Sequence, residues 1–318
     1  MARIFAAVLW QSGRRGEDLP STAVGGLASH PAVGSGMVDV LAASDDGRAA
    51  VAVSSGRDEG GSGVSQKDHG MYVAAFYGQM PGLAGVLSAR GIDSAGDPGA
   101  GIIELYLKEG PAFLEHLPGM YALALYDGRA GRMVVAGDRN GYCPVYHTRT
   151  GEGVFFSSLT APLAAMREYN SLDRGSAMEY LMFDTVYGSR TFYADIDMIP
   201  YGECVTVDAD ERSVRRGRYF SYESLFDAGE FDRSRRIDAP AVLTRKMKDS
   251  VGRVLEGRDR SRLGLLCGGG VDCSYIGGIL GELGEEVPIF CATVEGGDVS
   301  EEDMVRSTSE RLGSGFHV

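Results

Sequence analysis

The sequence has only five cysteines, Cys143, Cys204, Cys267, Cys273 and Cys291, and none of them forms a C-x-x-C pair. An odd number at irregular spacing excludes a paired disulfide framework and points to a reducing compartment. Five scattered histidines leave no zinc-ligand spacing either. No basic block is present: 31 Lys and Arg face 44 Asp and Glu, for a net charge of -13, which argues against nucleic acid as a partner. Long apolar runs are missing as well. The run from Ile4 to Trp10 falls far short of a membrane span, and Gln11, Ser12 and "GRR" follow it rather than a small-residue cleavage site. These absences predict a cytoplasmic protein with no membrane partner.

What is there is a chain of 318 residues, 44% hydrophobic and 24% charged, long enough for two domains. Up to about Asp208 short apolar runs alternate with Gly, Asp, Ser and Pro: "RIFAAVLW", "AAVAVSS", "MYVAAFYG", "GMYALALYD", "RMVVAGD", "GVFFSS" and "ECVTVD". They read as strands of a sheet-rich domain. Two helices are expected among them, Gly101 to Glu109 and Ser176 to Phe183, the second with Met178, Leu181 and Met182 on an apolar stripe. The polar stretch Ser54 to Gly70 reads as a surface loop. Trp10, Tyr72, Phe76 and Tyr77 sit on strand patterns and read as core. The division predicted is residues 1–211, a connector over 212–238 containing "EFDRSRRID", and residues 239–318.

The last part has a βαβ grammar. A helix from Ala241 to Glu256 places Leu243, Met247, Val251 and Leu255 on one face. The strand "LGLLC" runs into "GGGVD", which opens a helix with Ile276, Ile279, Leu280 and Leu283 inward. "VPIFCATV" is a second strand, "SEED" from Ser300 starts a helix ending at Leu312-Gly313, and "FHV" begins a third strand.

A strand, a glycine turn and a helix N-terminus bring backbone amides together on one point, where the macrodipole also favours negative charge. The predicted anion site is Gly268, Gly269, Gly270, Val271, Asp272, Cys273 and Ser274, with Ala292 at the end of the neighbouring strand. A carboxylate beside a phosphate nest is repelled unless a divalent cation bridges the two, so Asp272 suggests Mg2+ with a polyphosphate. Cys267, Cys273 and Cys291 near this pocket read as small buried residues rather than a thiol or iron–sulfur site.

"LLCGGGVDCS" resembles the pyrophosphate loop of the asparagine synthetase type of N-type ATP pyrophosphatases, usually L-S-G-G-x-D-S-S. "GMYALALYDGRAGRMVVAGDRNGYCPVYH" resembles that family's G-M-F-A-F-A-L-x-D followed by A-R-D-R-x-G-x-K-P-L-Y-Y. "MEYLMFDTVYGSRTFYADIDMIPYGECVTV" resembles its E-Y-L-x-F-G-x-x-x-x-x-R-T-L segment, which closes in L-P-P-G. The resemblance extends to beta-lactam synthetases and lasso-peptide cyclases. It implies an Ntn-hydrolase-like α/β/β/α sandwich of the class II glutamine amidotransferase type, followed by a partial Rossmann-like ATP-pyrophosphatase sheet with strand order resembling 3-2-1-4-5.

The resemblance also shows what has changed. The family's glutaminase uses a cysteine at the first position after Met removal, and here that position holds Ala2; a methyl group cannot attack an amide. The N-G-E turn falls on Tyr77-Gly78-Gln79, the S-D motif on Asp97-Pro98, no R-G-P-D stretch follows His30, and Cys143 stands at the K-P lysine. An inactive glutaminase with no catalytic residue of its own is expected. In the loop, Gly268 and Cys273 replace two serines and only Ser274 keeps a hydroxyl. Two lost charge-assisted hydrogen bonds would cost roughly 3 to 6 kcal/mol, or two to four decades of affinity.

The family's later strands, a second acidic motif and a catalytic lysine are not represented. Three readings stay open: part of a split synthetase that adenylates a carboxylate with ATP and Mg2+ and forms an amide when a second polypeptide completes it; a non-catalytic nucleotide-binding or regulatory scaffold subunit; or a truncated remnant. Homodimerisation stays open too.

Overall fold

The computed structural model describes residues 3–10, 19–30, 40–54, 61–94, 96–167, 170–226, 238–256, 258–292, 301–313 and 315–317. The chain divides into two compact units, Met1–Leu225 and Phe226–Val318.

The first unit is built on two six-stranded antiparallel sheets. In chain order its strands are β1 (Arg3–Leu9), β2 (Val40–Ala43), β3 (Ala49–Ser54), β4 (Ser62–Lys67), β5 (Tyr72–Gln79), β6 (Met120–Asp127), β7 (Arg132–Gly137), β8 (Tyr146–Arg149), β9 (Gly153–Ser157), β10 (Asp197–Met198), β11 (Glu203–Asp208) and β12 (Ser213–Arg218). One sheet runs β10-β8-β9-β1-β3-β2 and the other β12-β11-β7-β6-β5-β4. Its helices are α1 (Leu19–Ala28), α2 (Leu83–Ser88), α3 (Pro98–Glu109), α4 (Thr160–Ala165) and α5 (Arg174–Phe183).

Strand alternation explains the layering. On β1, Ile4, Ala6 and Val8 enter a core shared with Val73, Ala75, Ala122, Ala124 and Tyr126 of the facing sheet. The alternate residues Phe5, Ala7 and Leu9 pack against Val24 and Leu27 of α1 and Leu163 of α4. On the other sheet, Tyr121, Leu123 and Leu125 turn outward onto Ile102, Ile103 and Leu105 of α3. Central strands buried on both faces therefore read as unbroken apolar runs, and the result is the expected α/β/β/α sandwich.

Edge strands escape that logic, and here the sequence expectations need correcting. "SGVSQK" of β4 lies inside the segment read as a surface loop, yet it pairs with β5 over Ser62↔Tyr77 to Lys67↔Tyr72. "SVRRGR" of β12 lies inside the supposed connector, yet it pairs with β11 from Glu203↔Arg218 to Asp208↔Ser213. Both have one neighbour only, so polar and charged side chains suffice. Arg215 pairs with Glu211 at 2.6 Å and Arg218 with Glu203 at 3.3 Å. Of "EFDRSRRID", all but Asp238 lies outside the described residues.

Helix α5 departs from expectation in its packing. Asp173 caps it, its carboxylate accepting from Ser176 N at 2.8 Å, and that bond, made to the charged form, holds Asp173 below its usual carboxylate range. However, Met178, Leu181 and Met182 are 59%, 79% and 67% exposed. Periodicity identifies an apolar stripe but not what lies against it.

The second unit contains α6 (Ala239–Leu255), β13 (Leu265–Leu266), α7 (Val271–Glu282), β14 (Ile289–Phe290), α8 (Glu301–Leu312) and β15 (Phe316–His317). The strands form a parallel sheet in the order β13-β14-β15, with Leu265↔Ile289 and Ile289↔Phe316 in register. Cys267, Ile289, Cys291 and Val305 form one small core and Leu255, Leu280 and Val287 another. A Cβ on Gly277 would lie 2.9 Å from Leu312 Cδ1, so its absence lets α7 approach α8. Two residues expected inward, Leu243 and Leu283, are 57% and 41% exposed instead. Ser300, the expected cap of α8, lies outside the described residues.

Candidate functional site

Two regions carry the residues singled out above. The first is the end of β5. Where the resemblance places a turn, residues 77–79 continue strand β5, paired with β6 through Gln79↔Met120; Gly78 has φ 127°, and a Cβ there would lie 2.1 Å from Met120 O, so only glycine fits this position. Tyr77 and Gln79 flank it. Burial pushes the Tyr77 phenol well above its usual range, and the neighbouring Cys143 acts in the same direction. Burial likewise pushes the Cys143 thiol up to about 11, with Asp138 adding to it. Both groups are neutral at pH 7, so neither offers an anionic nucleophile.

Cys143 is fixed by its backbone. Its N–H donates to Asp138 Oδ2 at 2.9 Å, and Asn140 N–H donates to Oδ1 of the same carboxylate at 2.9 Å. Asp138 is fully buried and organises the "DRNGYC" turn, a role that the motif match alone did not reveal. Where the resemblance expects a lysine, the structure packs a thiol into the core between the sheets.

Asp97 is a helix cap. Its Oδ1 accepts from Gly99 N at 2.9 Å, Ala100 N at 3.1 Å and Ser65 Oγ at 2.7 Å. With three internal donors it holds α3 in place. Ala2 and the residues after His30, 31–39, lie outside the described residues.

The second region is the junction of β13 and α7. Gly269 adopts φ 77°, turning the chain sharply out of the strand. Gly270 is the N-cap of α7 and supplies no side-chain cap; a Cβ built on it would meet nothing within 4 Å. Val271 is 85% exposed, and Asp272 is exposed in the first turn. Parallel pairing of Leu266 with Phe290, continued by Cys267 N donating to Phe290 O at 2.8 Å, carries Ala292 to the level of Gly268. The residues expected to form the loop site thus share one end of the small sheet.

Cys273 occupies this loop in a way the sequence did not announce. Burial pushes its thiol up, but hydrogen bonds from Cys267 and from the backbone at Gly268, Ser274 and Gly270 outweigh burial and bring it below its usual value. Within the loop the Cys273 thiol donates to the Gly270 carbonyl at 3.2 Å. Among the described residues no group of three or more His, Cys, Asp or Glu could hold a metal ion. A Mg2+ at Asp272 would need phosphate oxygens and water to complete its shell.

Residues 88–220 match the family model of a glutamine amidotransferase domain. The chain is 22% identical over 188 residues to a putative asparagine synthetase (glutamine-hydrolyzing) 2 of Methanocaldococcus jannaschii, the match covering 57% of this chain and 34% of the relative. The chain thus spans about a third of the length of that curated relative. Among solved structures, the glutamine phosphoribosylpyrophosphate amidotransferase of B. subtilis, complexed with ADP and GMP, is similar at TM-score 0.42 and 13% identity, over 69% of this chain and 49% of that one. A glutamine aminotransferase class-II domain protein from Silicibacter pomeroyi is similar at TM-score 0.32 and 13% identity, over 68% and 98%. The first unit contains a glutamine amidotransferase domain. Over the 188 matched residues the chain is similar to that putative asparagine synthetase. No helix among the described residues is long and apolar enough to cross a membrane.

Proposed function

We propose that this amidotransferase-like chain has a silent glutaminase unit and serves ATP-dependent amide formation through the loop of its second unit. A second polypeptide would complete that synthetase. The observation that carries this reading is the β13–α7 junction: a parallel strand, a glycine turn and an uncapped helix N-terminus with Asp272 in its first turn.

The residues fit a bound nucleotide phosphate in part. Gly268, Gly269 and Gly270 would present backbone amides, α7 would add its dipole, and Asp272 would hold Mg2+. When bound, ATP would supply the activating group for a carboxylate. Against this, Gly268 and Cys273 stand where the resemblance expects serine hydroxyls, and a thiol is a weak donor, so the chain's own contribution to affinity is reduced. That sulfur is also what favours the second reading, a non-catalytic scaffold that keeps the fold without the ligand.

Completion by further strands is supported by β13. Leu265 N donates to Pro288 O at 2.9 Å and Cys267 N to Phe290 O at 2.8 Å, so Leu266 turns its backbone groups away from β14. Among the described residues no strand pairs with that edge, and Leu266 is 73% exposed. Such an edge is a pairing template.

The test is calorimetric titration of Mg2+-ATP into the purified chain, alone and with whatever co-purifies from its own cells. Binding that Asp272→Asn weakens at least tenfold supports the reading. No binding in either preparation would leave the scaffold role in its place.

A further inference from the structure

We propose that Cys267 and Cys273 form a reversible dithiol–disulfide site that reacts with low-molecular-weight disulfides of the glutathione type. Cys267 ends β13 and Cys273 lies in the first turn of α7, so the glycine turn folds the chain back and brings the two sulfurs to 2.8 Å. Both are free thiols. Forming an S–S bond of about 2.05 Å asks for a sulfur displacement of under about 1 Å.

The two thiols differ in ways that assign their roles. Cys267 is 1% exposed and sits in the small core with Ile289, Cys291 and Val305. Cys273 is half-buried in the first turn of α7, where a small disulfide can reach it. Cys273 is therefore the attacking group and Cys267 the resolving one.

The reaction balances in two exchanges. The Cys273 thiolate attacks one sulfur of RSSR, forming a mixed disulfide and expelling RS−. Cys267, losing its proton, then attacks Cys273 Sγ, forming the internal disulfide and expelling the second RS−. The protein gives up two electrons, the small disulfide accepts them, and the two thiol protons end on the two RSH molecules. Cytosolic disulfides of this kind are characteristically transient. The proposal does not depend on nucleotide binding, since it concerns only the two sulfurs.

The test equilibrates the intact chain with a series of reduced-to-oxidised glutathione ratios, quenches with acid, alkylates free thiols and maps the peptides by mass spectrometry. Expected is a Cys267–Cys273 peptide lighter by two hydrogens, regenerated by dithiothreitol and half-converted at a reproducible ratio. Cys267→Ser should stall as a glutathione adduct on Cys273, and Cys273→Ser should show neither adduct nor this disulfide. If either variant fails to fold, the unmodified chain still decides. Absence of the 267–273 disulfide across the series, or preferential pairing of Cys267 with Cys291, would overturn the proposal.

Discussion

Ser65 Oγ donates to Asp97 Oδ1 at 2.7 Å, tying the edge strand β4 to the N-terminus of α3. The same oxygen accepts from two backbone amides of the helix, and a Cβ on Gly99 would lie 2.2 Å from that serine oxygen. A position that the resemblance matches to the family's S-D motif is here part of the scaffold. Asp97→Ala should destabilise the first unit by about 1 to 2 kcal/mol, and Ser65→Ala by about 0.5 to 1.5 kcal/mol. Urea unfolding followed by circular dichroism measures both; a loss under about 0.5 kcal/mol for Asp97→Ala would contradict the capping role.

Gly78 is the strictest backbone position of the YGQ stretch. Substitution by alanine would force a Cβ to within 2.1 Å of Met120 O and 2.7 Å of Tyr121 Cα, both backbone atoms of β6, at a φ of 127°. A cost on the order of 3 kcal/mol is expected. Gly85→Ala, where nothing lies within 4 Å, should be neutral or slightly stabilising in the same unfolding experiment. Equal effects at the two sites would refute the steric account.

The purified chain should release no glutamate from glutamine. Ala2→Cys alone should not restore release, because Tyr77 and Gln79 replace the turn that would hold the substrate, and Asp97 is occupied by Ser65 and α3. A coupled glutamate assay decides it. Glutamate produced by the unmodified protein would remove the silent-glutaminase reading.

Buried phenols set an alkaline limit to stability. Tyr126 donates to Asp46 Oδ2 at 2.6 Å, Tyr106 to Asp127 Oδ2 at 3.0 Å and Tyr219 to Gly137 O at 2.6 Å. Burial foremost pushes all three up, Tyr219 to about 12. Their folded values exceed the unfolded value of about 10, so the folded state binds more protons above that pH. Stability is fully present below about pH 10 and falls as pH rises toward the folded values. Tyrosinate absorbance should therefore appear together with loss of circular dichroism in an alkaline titration. Normal tyrosine ionisation near pH 10 with the fold intact would contradict the burial account.

How far the sequence spoke depends on where a residue sits. Central strands such as β1 and β6 were legible because burial on both faces demands continuous apolar side chains, and α7 because its glycine turn and apolar positions are local signals. The expectation of a missing nucleophile rests on a single position, Ala2. Edge strands β4 and β12 were hidden: a strand with one neighbour and a solvated face needs no apolar pattern, and "SVRRGR" passes for a connector. The stripe on α5 was legible as a stripe, but its exposure was not, since periodicity defines a face and only packing supplies a neighbour.

The sequence by itself determined the two-unit plan, the αβ grammar of each unit and the presence of a glycine loop with Asp272. Tertiary structure alone decided that Asp97 caps a helix, that Asp138 anchors the turn holding Cys143, and that Cys267 meets Cys273. Each of these depends on which atoms a turn brings within about 3 Å, and chain order does not specify such distances.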